Sequence, residues 1–247
     1  MSSFLYNFFH NETRDRTEKG LVYIPPDKDM WPESWKKIFY KKYIFFKPIL
    51  LPRIKGTLLD DILPKRRSNG EKVIDNKPTL PVLSYILQCG YGLQDGGTIP
   101  GREENRTVPS AGKRYPLELY VLLFREVPGC RPGVYHYGVK DHSLEPVLLG
   151  EIPPEEIALF SPQQKWLHGT AGMICITGVF GRTVNKYGSR GYRYTLLEAG
   201  HAAQNILLAG TEKGMHFIPI GGVEEAEIEK KLGLNSSHEK VVYALFF

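Results

Sequence analysis

The sequence is poor in the signatures that usually announce a chemistry. It has three cysteines in 247 residues, Cys89, Cys130 and Cys175, about 40 residues apart. With no C-x-x-C pair and no Cys/His spacing, a zinc site is excluded, and an odd, scattered set fits reduced thiols better than a disulfide framework. No run approaches the roughly 18 apolar residues needed to span a bilayer. The opening MSSFLYNFFH has no basic stretch ahead of an apolar one, so neither a signal peptide nor a membrane partner is expected and the chain reads as soluble and cytoplasmic. A phosphate-binding G-x-x-x-x-G-K-[ST], a G-x-G-x-x-G after a strand, H-E-x-x-H and G-x-S-x-G are all missing, which removes the commonest nucleotide, metalloprotease and serine-hydrolase readings. The seven histidines stand far apart, and no metal is expected. His201, inside an apolar helical stretch, reads as a hydrogen-bonded core residue ahead of a catalytic one.

What is present is an ordinary globular composition, 42% hydrophobic and 24% charged, enough for one substantial core. The net charge of +5 is unevenly placed: residues 1–70 hold 14 Lys/Arg against 8 Asp/Glu, the remainder 18 against 19. The basic residues of that first quarter alternate with acids and aromatics and form no compact run, so a solvated or partner-facing surface is expected, with no nucleic acid. Residues 1–55, with Pro25, Pro26, Pro32, Pro48 and Pro52, read as short helices and extended arms packing on a core domain over 56–247.

Within that domain Thr57–Leu63 is a capped helical turn, and Pro81–Gly90 a helix ended by glycine. The glycine-rich stretch Gly92–Gly112 reads as a loop. Leu117–Phe124 is β-branched and aromatic, hence a strand. Gly133–Tyr137 and Ser143–Val147 form a hairpin across 139–142, and the apolar run Gly172–Val179 is a buried strand. Tyr194–Ala209 is a helix buried on most sides, with small residues that permit close approach of another helix. A glycine turn at 218–223, a short amphipathic helix Glu224–Leu232 and a strand Lys240–Phe247 close the chain. Strands and helices do not alternate regularly, so the fold class is α+β.

Four polar clusters could carry chemistry. Lys65-Arg66-Arg67-Ser68 offers planar donors for a phosphate or ribityl chain; as a bare pattern it also fits a solvated basic turn. Pro109-Ser110-Ala111-Gly112, directly before a strand, lets backbone approach a flat ligand, or is simply a turn. Between Arg182 and Tyr194 stand four cations and three tyrosines; a Lys186–Tyr187 pair can move protons in a partly dry site, while the alternative is a tyrosine-rich linker whose cations snorkel. Ile220-Gly221-Gly222 is a glycine turn whose N–H groups can meet a ring or a phosphate.

The order of these clusters resembles one family. PSAGKRYPLELYVL, GVYHYGVKDHSLEPV, KYGSRGYRYTLLEAGHAAQNILLAG and IPIGG together are similar to the SagB-type dehydrogenases of the nitroreductase superfamily, from about Leu58 to Phe247, and more loosely through HNET at His10–Thr13. The resemblance implies a central, mostly antiparallel sheet flanked by helices, a homodimer, and FMN at the subunit interface. It implies that Arg66, Arg67 and Ser68 hold the FMN phosphate and ribityl chain, that Pro109, Ser110, Ala111 and Gly112 lie along the ring edge, and that Ile220, Gly221 and Gly222 lie near its face. Lys186 and Tyr187 match the pair used in azoline oxidation. One departure stands out: the superfamily often has a cation two residues after the serine, where this chain has Gly70, so Arg190 or Arg193 is expected to take its place. The implied activity is oxidation of thiazoline or oxazoline rings to azoles in a ribosomal peptide or related small molecule, with a cyclodehydratase as a possible partner. The alternatives are a general NAD(P)H-dependent flavin nitroreductase and a flavin-free scaffold subunit of a peptide-modifying complex.

Overall fold

A computed structural model describes residues 2–13, 27–36, 40–41, 49–52, 56–68, 70–98, 100–101, 104–234 and 238–247. Much of the 1–55 extension, including Pro25, Pro26 and Pro48, lies outside the described residues. Among those described, the architecture is α+β, built on one six-stranded sheet.

The strands are β1 (Leu117–Leu123), β2 (Gly133–Gly138), β3 (Ser143–Leu149), β4 (Gly172–Gly178), β5 (Ile218–Ile220) and β6 (Lys240–Phe246). They lie in the order β3-β2-β1-β4-β6-β5, each antiparallel to its neighbours. Period-two alternation sorts their side chains between two apolar layers. Leu119, Val121, Ile174 and Ile176 face a cluster completed by helices α5 (Leu80–Tyr91) and α8 (Arg190–Glu212). Tyr120, Leu122, Met173 and Cys175 face the other, completed by α6 (Pro154–Phe160) and α9 (Glu225–Leu232). Strand β4 is buried along its whole length, because helices cover it on both faces. Strand β3 is the exposed edge, and Pro146 suits that place because an edge strand can spare a donor.

The strands and the hairpin read from the sequence are found, and two segments differ. The stretch 182–194 is no linker: it holds α7 (Gly181–Tyr187) and the first turn of α8. Gly188, at φ 58° and ψ −151°, breaks the chain between them, a conformation that side chains with a Cβ avoid. The glycine turn at 218–223 begins as a strand, β5, paired to β6. The region 150–170 forms α6 and a following 3₁₀ turn.

Helix α8 is less enclosed than its composition suggests. Small residues do line its inner face (Ala199, Ala202, Ala203), and Ile206 lies so close to α5 that a Cβ on Gly90 would stand 2.5 Å from its Cγ1. Leu197, however, is 57% exposed, and His201 is exposed rather than in the core. At the N-terminus, α1 (Ser2–Glu12) lays Tyr6 and His10 against Phe180 and Tyr192, at the entrance to α7. No helix among the described residues is long and apolar enough to cross a membrane.

Candidate functional site: the turn before β1 and the helix after β4

Strand pairing decides which of the sequence clusters meet. Because β1 and β4 are antiparallel with Leu117 opposite Gly178, the segment entering β1 and the segment leaving β4 share one end of the sheet. Val179 N–H donates to the Pro116 carbonyl at 2.7 Å and fixes that junction. The turn Pro109–Pro116 therefore lies beside α7, and Gly112 is in contact with both Lys186 and Tyr187. A Cβ built on Gly112 would stand 2.7 Å from Lys186 Nζ and would collide with the Tyr187 hydroxyl. A side chain at 112 would have to push both ends aside, and φ of +58° there favours glycine.

The pair is held from behind. The Tyr187 ring meets Tyr194 edge-on at 5.3 Å, so the first turn of α8 props it, and Lys186 Nζ lies 5.3 Å from the Tyr187 ring centroid. Lys186 is exposed and Tyr187 half-buried. An open cleft of about 660 Å³, lined by Arg114, Val179, Gly181, Arg182, Asn185 and Lys186, adjoins them. A larger cavity of about 920 Å³ opens near Phe124, Arg125 and His168, away from every residue singled out in the sequence.

A charged network ties α7 to the sheet. Arg182 pairs with Glu118 of β1 and donates to the Tyr115 carbonyl at 3.0 Å. Arg114 Nε donates to the Arg182 carbonyl at 3.1 Å. Glu118 also meets His136 Nε2 at 3.1 Å, and the other nitrogen of that ring meets Glu145 at 2.8 Å. Burial alone would raise the Glu118 carboxyl, but the His136 hydrogen bond and the Arg182 charge outweigh it and hold it below the usual range. The hydrogen bond to Glu118, opposed by burial and aided by Glu145, raises His136 to about 8.

Beneath the turn lies a polar cluster that the sequence did not single out. Glu198, on the inner face of α8, is 2% exposed. It accepts from the Tyr91 hydroxyl at 2.7 Å. Burial raises the Glu198 carboxyl, while the nearby Ser110 and Tyr91 hydroxyls and the Arg106 charge oppose the shift. The Arg106 guanidinium lies between the Tyr91 and Tyr115 rings, at 4.3 and 4.9 Å. Glu198 was open to detection: it falls on the same helical stripe as Thr195, Ala199 and Ala202. Tyr91 and Arg106 gave no such signal.

The remaining sequence candidates are dispersed. Arg66 is half-buried, Arg67 and Ser68 are exposed; Arg66 Nη1 is 3.4 Å from Ser68 Oγ, and Arg67 Nη1 donates to the Pro64 and Arg66 carbonyls. Among the described residues no hydrogen bond, ion pair or ring contact joins Arg66–Ser68 to Gly112, Lys186 or Tyr187. Strand β5 runs parallel to β4 across β6, so Ile220, Gly221 and Gly222 head for the same end of the sheet as Gly178, with Gly221 and Gly222 exposed. Arg190 and Arg193 are exposed on the first turn of α8. Gly70 has a local cause: a Cβ there would lie 3.1 Å from Trp166 Cη2.

The family model for the nitroreductase family matches residues 64–247. The chain belongs to the nitroreductase family. Within the family it is 38% identical to the nitroreductase-family protein MJ1384 of Methanocaldococcus jannaschii over 184 residues, covering 74% of this chain and 88% of that protein. It is 28% identical to the trifolitoxin-processing protein TfxB of Rhizobium leguminosarum bv. trifolii, covering 69% of this chain and 47% of that one. To the microcin B17-processing protein McbC of Escherichia coli it is 24% identical, covering 85% and 76%. These processing proteins bear out the SagB-type resemblance. In fold, the chain matches one in the E. coli microcin synthetase McbBCD complex with truncated pro-MccB17 bound, at TM-score 0.68 and 20% identity, over 100% of this chain and 92% of that one. It also matches a nitroreductase-fold protein crystallised with FMN from Desulfovibrio desulfuricans, at TM-score 0.51 and 15% identity, over 78% and 86%. The chain is thus a nitroreductase-superfamily oxidoreductase with relatives in peptide toxin processing.

Proposed function

We propose that this oxidoreductase is an FMN-dependent dehydrogenase that converts thiazoline or oxazoline rings of a modified peptide into azoles. The observation that carries the reading is the meeting of Lys186 and Tyr187 on Gly112, in a family whose processing members act on microcin B17 and trifolitoxin.

The residues present suit the cofactor. Lys186 Nζ and the Tyr187 hydroxyl converge on Gly112, and just upstream Asn105 Oδ1, Arg106 Nη1 and Thr107 Oγ1 are buried with no hydrogen-bond partner among the described residues, unsatisfied groups that a polar ligand edge can meet. Arg66, Arg67 and Ser68 would grip the phosphate and ribityl chain; Pro109 to Gly112 and Ile220 to Gly222 would border the ring. FMN supplies the two-electron acceptor that an azoline oxidation needs.

The chain's own part is the proton. Aromatising the ring removes a hydride equivalent from one carbon and a proton from its neighbour. Tyr187 Oη and Lys186 Nζ, both at Gly112, are the groups that take or relay that proton, and Tyr194 keeps the tyrosine ring in place. A homodimer belongs to the same reading: the donors of Arg66–Ser68 touch nothing of the Gly112 turn within one chain, and a second copy would complete the grip. A cyclodehydratase is the partner expected to deliver the ring.

The test is turnover of an azoline peptide by the FMN-loaded protein. Lys186→Ala and Tyr187→Phe are each expected to keep FMN and lose roughly 10²-fold or more in rate, the scale of a general base. Two variants that both turn over at the wild-type rate end the assignment. The likeness to MJ1384 favours a second reading, an NAD(P)H-dependent nitroreductase; rapid bleaching of the flavin by NADPH, unaffected by azoline peptide, would select it.

A further inference from the structure

Arg106 lies between the chain just after α5 and the turn Pro109–Pro116, and its backbone is fixed. The Asn105 carbonyl accepts the Gln94 N–H at 2.7 Å, and the Thr107 N–H donates to the Gly92 carbonyl at 2.9 Å. Residues 105–107 are thereby laced to the chain leaving α5. The side chain has a less ordinary setting. Its guanidinium lies over the Tyr91 ring at 4.3 Å and the Tyr115 ring at 4.9 Å, and Nη1 is buried with no hydrogen-bond partner among the described residues. Packing between two rings gives no reason for a cation, since an apolar side chain would fill the space without leaving a buried donor unmet. A guanidinium is instead drawn to both ring faces at once and sets their spacing.

We infer that Arg106 is a positioning residue for the site: through Tyr115 it holds the turn that carries Gly112 against Lys186 and Tyr187. The two rings are unequal. Tyr91 is fully buried, and its hydroxyl donates to Glu198 at 2.7 Å while accepting the Leu117 N–H at 3.2 Å; it is the fixed post. Tyr115 belongs to the turn and is half-buried. Arg106 grips it twice, with the guanidinium on its ring and with its own backbone N–H, which donates to the Tyr115 hydroxyl at 3.2 Å. The Tyr115 N–H in turn donates to Ser110 Oγ at 2.9 Å, and its carbonyl accepts from Arg182 of α7 at 3.0 Å. Tyr115 thus joins Arg106 to both ends of the turn 110–115 and to the helix that carries Lys186 and Tyr187.

The turn needs such a hold. Gly112, Lys113 and Tyr115 all have left-handed backbones, at φ 58°, 53° and 43°. Two of these are not glycine, and each such residue is strained unless its surroundings impose the conformation. Without the Arg106 guanidinium the Tyr115 ring loses its clamp, the backbone is free to relax, and Gly112 draws away from Lys186 and Tyr187.

This inference rests on the FMN reading for its functional consequence, and the experiment separates the two. The full-length protein without flavin is compared by hydrogen exchange with Arg106→Leu, Tyr115→Leu, their double variant and Tyr115→Phe. The amides of Lys113, Arg114 and Tyr115 close bonds within the turn. Those of Gln94 and Thr107 close the bonds that lace 105–107 in place and serve as the reference. Arg106→Leu is expected to speed exchange in the turn by about tenfold, the scale of a cation–π contact between partly desolvated groups, and to leave the reference amides unchanged. Tyr115→Leu should do the same, and the double variant no more than the worse single, because both break one contact. Tyr115→Phe keeps the ring and should lose less than Tyr115→Leu. Faster exchange at turn and reference alike would make Arg106 a support of the fold at large and overturns the inference; so do unchanged exchange and losses that add. FMN affinity, measured by quenching of flavin fluorescence, should fall in the same order of variants, and an Arg106→Leu protein with faster exchange in the turn but wild-type affinity overturns the link to the site. A wild type that binds no FMN ends the flavin reading alone, and the exchange result still decides whether Arg106 holds the turn. If Arg106→Leu does not fold, Arg106→Gln, which removes the charge but keeps a polar side chain, decides by the same readouts.

Discussion

Gly112 concentrates the demands of the site in one residue. Its backbone is left-handed, and the atoms a methyl group would meet are the ends of Lys186 and Tyr187. Those ends can swing aside, so the stability cost of Gly112→Ala comes mainly from the backbone and is expected to be about 1 kcal/mol. If Lys186 and Tyr187 handle the proton as proposed, turnover should suffer far more, by roughly 10²-fold, because they are displaced. Urea unfolding beside steady-state rates checks the contrast; equal losses in both would mean that the contact has no functional weight. The sequence made Lys186, Tyr187 and Gly112 legible because each stands in a short motif. It concealed Tyr91 and Arg106, whose roles come from rings and charges meeting across three elements, and it misdirected His201, whose apolar neighbours in the chain are not its neighbours in space.

Helix α7 lies where it does because its first turn is tied to β1. Arg182 joins Glu118, and Glu118 shares its charge with His136 on β2. His136 is raised from its ordinary 6.5 to about 8, so its contribution to folding is complete below pH 6.5 and is lost as the pH rises through 8. At 25% side-chain exposure, that loss is on the order of 1–2 kcal/mol. Glu118, held low, acts in the opposite direction: its contribution is present above the usual carboxylate range and is lost in acid. The melting temperature is therefore expected to fall between pH 6.5 and 9, and His136→Gln should flatten that limb; a variant with the wild-type slope would remove His136 as its cause. The strands of this network were readable from β-branched and aromatic runs. Helix α7 was not, because a seven-residue helix rich in cations resembles a solvated linker until the backbone of Gly188 shows where one helix stops.

At the scale of the molecule, the order β3-β2-β1-β4-β6-β5 could not be read from the chain: periodicity tells which residues share a face, not which strands are neighbours. Yet that order brings the turn before β1 to the helix after β4. If two copies complete each site, inactive variants should complement one another. A protein lacking Arg66 and Arg67, mixed and re-equilibrated with one lacking Lys186 and Tyr187, should regain roughly a quarter of wild-type activity: half the dimers are mixed, each with one intact site of two. No recovery, with mixed dimers present, would put all these groups in a single-chain site. The contact between Gly70 and Trp166 has a consequence of another kind. One residue opens α4 (Gly70–Ile74) and the other lies in the 3₁₀ turn ahead of β4, yet even a methyl group at 70 asks the indole to move. A lineage that gained the basic side chain common at this place in the superfamily would need the indole to give by a few tenths of an ångström as well. Two positions far apart in the chain are thus expected to be coupled, and a single substitution at 70 is read together with the state of Trp166.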